Sequence, residues 1–163
     1  KFMGETLHAG LWGSICSAVA GTPLLWWWQL IEEEDLYPEY TAISNFIRNE
    51  DLRDRSLKSG TVTLSTGTGE TDARARCLRN DSRAQGWIYR QADFGSVDPA
   101  GEAITTNIVM TLPEMSNGFY KVEFWDTNVG KPVAEIRAEV TNQTLIVDVP
   151  AFARDTAFKV RRQ

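Results

Sequence analysis

Beyond residue 60 the sequence never runs far without a turn. TGTGETD, RNDSR, GSVDPAGE, MSNG, TNVGKP, TNQ and PAFARD are dense in Gly, Asn, Asp, Ser and Pro, and strand-length stretches lie between them. Those residue types supply the backbone angles and local hydrogen bonds that turns need. They divide the chain into eight expected strands: 61–66, 73–79, 84–91, 104–112, 119–127, 132–140, 143–149 and 156–162. Several of these alternate. In FYKVEFWDT, Tyr120, Val122 and Phe124 share one face, and Phe119, Lys121, Glu123 and Trp125 the other. Leu145, Val147 and Val149 alternate in the same way. Successive strand side chains point to opposite faces, so this pattern buries one face of each strand. Short alternating strands at hairpin spacing predict an antiparallel β-sandwich of about 100 residues.

The first 55 residues have a different rhythm. Leu7, Leu11, Ile15 and Val19 recur every four residues, with Trp12 and Cys16 beside them. This predicts a helix over 5–20 with one buried face, stopped by Gly21 and Pro23. PLLWWWQL follows, a continuous apolar run that predicts a strand over 23–28 buried on both faces. Glu32, Glu33, Glu34 and Asp35 then form an acidic loop, and Asp35 is placed to cap the next helix. That helix carries Leu36, Tyr40, Ile43, Phe46 and Ile47 on one face, with Pro38 in its first turn. Helix, buried strand, helix is a fragment of an α/β unit. The expected fold is therefore mainly β: a sandwich over 58–163 preceded by an α/β segment over 1–55.

Composition narrows the partners. A net charge of −5 and a pI near 4.9 argue against nucleic acid or an anionic membrane surface. The apolar run from Leu11 to Trp28 is broken by glycine, serine, threonine and proline, so it does not read as a span. The segment opens on KFMGETLHAG, with no visible signal peptide and no initiator Met, and reads as an excised or processed piece. Cys16 and Cys77 are expected as two buried free thiols, with a disulfide between them as the alternative. One His and two distant Cys do not make a metal site, and no cofactor is expected.

The stretch LHAGLWGSICSAVAGTPLLWWWQLIEEEDLYPEYTAISNFI resembles the end of the (β/α)8 barrel of glycoside hydrolases of the cellulase and β-galactosidase type. In that family a small-residue helix leads into a Trp-rich eighth strand, an acidic loop with a DLY-like segment and a final helix. GFYKVEFWDTNVGKP and VDVPAFARDTAFKV are similar to the β-sandwich that follows many such barrels. Retaining members use two carboxylates about 5 Å apart at the ends of the fourth and seventh strands. The resemblance implies that both would lie upstream of Lys1, so the segment itself would not hydrolyse glycosides. It also implies a secreted or periplasmic setting and two partners: a poly- or oligosaccharide, and the missing barrel portion of the parent chain.

The candidate site residues follow from these readings. An aromatic ring at a barrel mouth stacks on the apolar face of a sugar. Trp28 lies nearest the expected mouth, with Trp26 deeper on the same face; packing of all three tryptophans in the core is the alternative. In the sandwich, Trp87 and Tyr89 share a strand face, so Trp87 is a further sugar-stacking candidate, against the alternative that it is core. The four adjacent acids lack a rigid element to space them as an acid/base pair and read as a solvated loop. Glu5 suits the first turn of a helix, and His8 reads as a packed or surface histidine. Asp81, Asp93 and Asp98 match no calcium-loop spacing and read as turn residues. Two further functions remain open: a stand-alone carbohydrate- or matrix-binding sandwich, or a structural interaction domain. A lone helix–strand–helix cannot bury its strand. Residues 5–47 are therefore expected either to self-associate or to fold onto the sandwich.

Overall fold

The computed structural model describes residues 2–19, 21, 28–67, 69, 71–93 and 103–163. The fold is mainly β with antiparallel sheets, preceded by helices. In chain order the elements are α1 (Phe2–Ile15), α2 (Trp28–Glu33), α3 (Tyr37–Ile47), β1 (Lys58–Ser59), β2 (Thr63–Thr66), β3 (Ala73–Arg79), β4 (Arg83–Arg90), β5 (Ile108–Leu112), β6 (Gly118–Asp126), β7 (Lys131–Val140), β8 (Leu145–Val149) and β9 (Asp155–Arg162). The strands form a six-stranded sheet in the order β1-β3-β4-β9-β6-β7 and a three-stranded sheet in the order β2-β5-β8.

The main core lies between the two sheets. Ile108, Met110 and Leu112 of β5 and Leu145, Val147 and Val149 of β8 face Tyr120, Val122 and Phe124 of β6 and Phe158 and Val160 of β9. Tyr120, Val122, Phe124, Leu145, Val147 and Val149 are the alternating positions that the sequence pattern picks out. β4 and β9 depart from simple alternation: each is buried at five successive positions. Their outer face is covered as well, because α1 and α3 lie on it. Trp12 and Cys16 of the α1 segment, Ile43 and Phe46 of α3, Trp87 of β4 and Ala157 of β9 form a second core, with Trp125 of β6 packed against it. α1 and α3 thus lie on the sandwich, which is one of the two outcomes expected for residues 5–47.

The helical segment differs from expectation in its boundaries. α1 ends at Ile15 rather than near residue 20. Ser14 Oγ donates to the Gly10 carbonyl, and the Ser17 N–H takes the Ser14 carbonyl at the tighter three-residue spacing. Val19 lies beyond this turn and is exposed. The expected strand over 23–28 lies outside the described residues except for Trp28, which opens a helix instead. Glu32 and Glu33 belong to that helix, so only part of the acidic run is a loop. The cap assignment of Asp35 also needs correction. The Leu36 N–H reaches the Ile31 carbonyl at 2.9 Å and the Asp35 N–H the Glu32 carbonyl at 3.3 Å. Asp35 sits at φ 46°. This is the Schellman closure of α2, with Asp35 in its left-handed position. The N-cap of α3 is Leu36, which makes no side-chain capping bond.

One turn fixes the helices to the sheet. TNVGKP joins β6 to β7, and Gly130 sits there at φ 63°. A Cβ at this position would run into the Ala42 carbonyl and come within 2.7 Å of the Ala42 Cα on α3. The conformation and the close approach both require glycine. Gly130→Ala is expected to cost about 1–3 kcal/mol through strain and displacement of α3. A chemical denaturation midpoint that stays unchanged would refute this contact.

Candidate functional site

Trp28 projects from the first turn of α2 with 70% of its surface exposed. One helical turn on, at the i+4 spacing that shares a face, stands Glu32. The Tyr37 hydroxyl donates to Glu32 Oε2 at 2.7 Å, and that bond to a carboxylate raises the phenol pKa. Tyr37 is itself exposed. An exposed indole beside a carboxylate held by a phenol offers an apolar plane and hydrogen-bond acceptors, the chemistry that a neutral sugar uses. Trp26 and Trp27 lie outside the described residues.

Trp87 occupies a different environment. Only 3% of it is exposed, and its ring stacks on Tyr89 with centroids 4.3 Å apart. It belongs to the second core beneath α1 and donates its indole N–H to Asp155 Oδ2 at 2.6 Å. Asp98 lies outside the described residues. Asp81 is built into turn contacts, with its carbonyl accepting from Tyr120 and Ser116. Asp93 pairs with Arg90 at 3.2 Å.

The polar groups beneath the helices form two clusters that the sequence did not reveal. In the first, His8 of α1 is held between two carboxylates. Nδ1 meets Glu39 Oε2 of α3 at 2.6 Å, and Nε2 meets Asp155 Oδ2 of β9 at 2.8 Å. The Thr127 hydroxyl donates to Asp155 Oδ1 at 2.7 Å. Burial pulls the His8 pKa down, but the bonds and charges of Asp155 and then Glu39 outweigh it and carry it up to about 9. Burial pushes the Asp155 carboxyl up, and His8, Thr127 and Trp87 together bring it below the usual range. His8 is therefore an imidazolium that donates from both nitrogens. With both nitrogens occupied by carboxylates, it has no free lone pair to act as a general base.

In the second cluster, Glu50 accepts from Lys159 at 2.7 Å, from Arg161, and from Arg83 at 3.5 Å. The Lys159 ammonium also lies 4.7 Å from the Phe46 ring centroid and 4.5 Å from that of Trp125. Burial lowers the Lys159 pKa, and Glu50 opposes that shift. Cys16 and Cys77 are both buried free thiols, and burial pushes Cys77 up to about 12. Among the described residues no group of three or more His, Cys, Asp or Glu side chains is placed to hold a metal ion. No helix among the described residues is long and apolar enough to cross a membrane.

No family model matches the sequence, and no curated protein matches it. Among solved structures, the chain is similar to a glycoside hydrolase at 14% identity and TM-score 0.47, covering 90% of this chain and 30% of that one. It is also similar to a family 5 glycoside hydrolase from Bacteroides vulgatus at 12% identity and TM-score 0.47, covering 90% and 29%. A family 30 endoxylanase from Clostridium papyrosolvens gives 14% identity and TM-score 0.41, covering 74% and 26%. The chain thus spans less than a third of the length of each of these structures.

Proposed function

We propose that this chain is a C-terminal portion of a glycoside hydrolase-like protein. In this reading, residues 1–55 close a (β/α)8 barrel and residues 58–163 form a non-catalytic sandwich that buttresses it. The observation that carries the reading is the second core. α1 and α3 rest on the outer face of the six-stranded sheet through Trp12, Phe46, Trp87 and Trp125, and two buried ionic clusters join the same surfaces. A sandwich tethered by a linker needs no such interface. The resemblance of LHAGLWGSICSAVAGTPLLWWWQL to the closing passage of the barrel supports the same assignment. The catalytic carboxylates and the remaining barrel strands then belong to the parent chain, which works in a secreted or periplasmic setting. The test is to express the parent chain and this segment side by side. Glycosidase activity is expected from the parent alone. Hydrolysis by the 163-residue segment, or a parent in which the sandwich can be deleted without loss of barrel stability, would reject the assignment.

A second reading concerns Trp28, whose exposure favours contact with sugar. Here Trp28 forms a stacking platform, and Glu32 binds hydroxyl groups. Affinity electrophoresis of the segment through soluble β-linked glucans, xylans and galactans measures this directly. Retardation by at least one polymer is expected, and Trp28→Ala should abolish it while shifting stability by no more than about 0.5 kcal/mol, as an exposed substitution does. Retardation that survives Trp28→Ala would move the site elsewhere. Trp87→Ala is a poor companion control, because it removes a buried ring and a donor to Asp155.

A further inference from the structure

β7 is the open edge of the six-stranded sheet: among the described residues it pairs with β6 on one side and with no strand on the other. At ten residues it is a long edge, and a groove lined by apolar Ile136, Ala138, Ile146 and Val147 and by charged Arg137, Glu139 and Asp148 leaves its flank toward β8 open. An edge of this length presents unpaired backbone donors and acceptors to another strand. Its outward face reads Val133, Glu135, Arg137, Glu139, all exposed. Across the sheet Arg137 lies directly opposite Lys121, and Glu135 directly opposite Glu123. Lys121 resolves this by pairing with Glu123 at 2.7 Å and Glu135 at 3.1 Å. Arg137 is left facing a like charge, with no ion-pair partner among the described residues.

We infer that β7 pairs with β7 of a second copy, antiparallel about a two-fold axis at Ile136, to make a continuous twelve-stranded sheet from two six-stranded ones. The charge sequence selects this register. Centred on Ile136, Glu135 meets Arg137 of the other copy twice, and Ala134 meets Ala138 on the inner face. Moving the axis to residue 135 sets Glu135 against itself. Moving it to 137 sets Arg137 against itself and Glu135 against Glu139. Centring between residues would pair outer-face with inner-face side chains, which the alternation of a strand forbids. The selected pairing runs from 133 to 139, so Pro132, which lacks a backbone donor, stays outside it.

Sedimentation velocity of the full chain over a wide concentration range tests this. A concentration-dependent dimer is expected. Arg137→Glu and Glu135→Arg each create like-charge pairs across the two-fold and should each weaken dimerisation by about tenfold or more. Mixing the two variants restores both ion pairs in a heterodimer, which should form where neither variant self-associates. Far-UV circular dichroism of the variants should match the parent, since both side chains are on an exposed edge. A chain that stays monomeric throughout overturns the inference. So does a dimer indifferent to both substitutions, which would place association elsewhere, such as residues 5–47. Weakened singles that fail to pair on mixing overturn the register.

Discussion

Asp155→Ala is expected to lower the unfolding free energy by about 3–5 kcal/mol, the range for breaking a buried ion pair by removing one member. The carboxylate accepts three hydrogen bonds, from His8, Trp87 and Thr127, and it lies where α1 meets β9. Deleting it leaves an imidazolium beneath α1 with Glu39 as its one remaining counter-charge, and leaves the Trp87 N–H without its acceptor. Asp155→Asn keeps an oxygen of similar position and removes the charge, so it should fall between wild type and Asp155→Ala. Guanidinium denaturation at pH 6 measures both. A loss below about 1 kcal/mol for Asp155→Ala would mean that the cluster is solvated and carries no weight in the fold.

The same cluster sets a pH dependence with a definite sign. His8 titrates near 9 in the folded chain and near 6.5 in a model peptide. Its protonation is favoured by folding, so its contribution is full below pH 6.5, declines between 6.5 and 9, and is gone above 9. A shift of this size corresponds to about 3 kcal/mol. Asp155 runs the other way. Its pKa is depressed below the ordinary 3.8 of an aspartate, so its contribution is present above that value and is lost as the pH falls further. The clasp is therefore strongest from about pH 4 to pH 6.5. Lysines, tyrosines and thiols also titrate above pH 9, so the informative quantity is the difference between wild type and Asp155→Ala. That difference should shrink as the pH rises from 6 to 9.5.

The sandwich was legible because each of its inner strands has one buried face and says so by alternation. Tyr120, Val122 and Phe124, and Leu145, Val147 and Val149, can be read directly from the sequence. The docking of the helices was legible only as a need: a lone helix–strand–helix cannot bury its strand, so residues 5–47 required a partner surface. What the sequence hides is which surface meets them. Trp87 and Trp125 stand on strand faces that also carry Arg83, Gln85, Lys121 and Glu123, so that face reads as solvated in part. His8 and Asp155 are 147 positions apart, and Glu50 and Lys159 meet only because a helix end reaches across the sheet. No local spacing encodes either pair. The nearest available signal was a matched surplus: aromatics on the outer face of β4 and β6, and more apolar surface on the helices than they can bury against each other. Asp35 was misread for a local reason. Before a proline-containing first turn an acid looks like an N-cap, and only the left-handed angle reveals that it closes the preceding helix.

Phe46→Ala should separate the helices from the sandwich without dissolving the sandwich itself. The Phe46 ring is fully buried and lies edge-on to Trp12, with centroids 4.9 Å apart, and edge-on to Trp125 at 5.4 Å. It also covers the ammonium of Lys159. Truncation removes both aromatic pairs and opens a cavity, a change that costs about 3–5 kcal/mol for a buried phenylalanine. Phe46 belongs to the second core and not to the one between the sheets. The cost therefore falls on α1 and α3, while Met110, Phe124 and Leu145 keep their neighbours. Native-state hydrogen exchange reads this by element. Amides of α1 and α3 should exchange faster in Phe46→Ala, and those of β5 and β8 should hold their wild-type protection. Uniform acceleration across both sheets would mean that the helices and the sandwich unfold as one unit. That outcome would make the sandwich dependent on the helices, the reverse of a buttress that lends its own stability to the segment it carries.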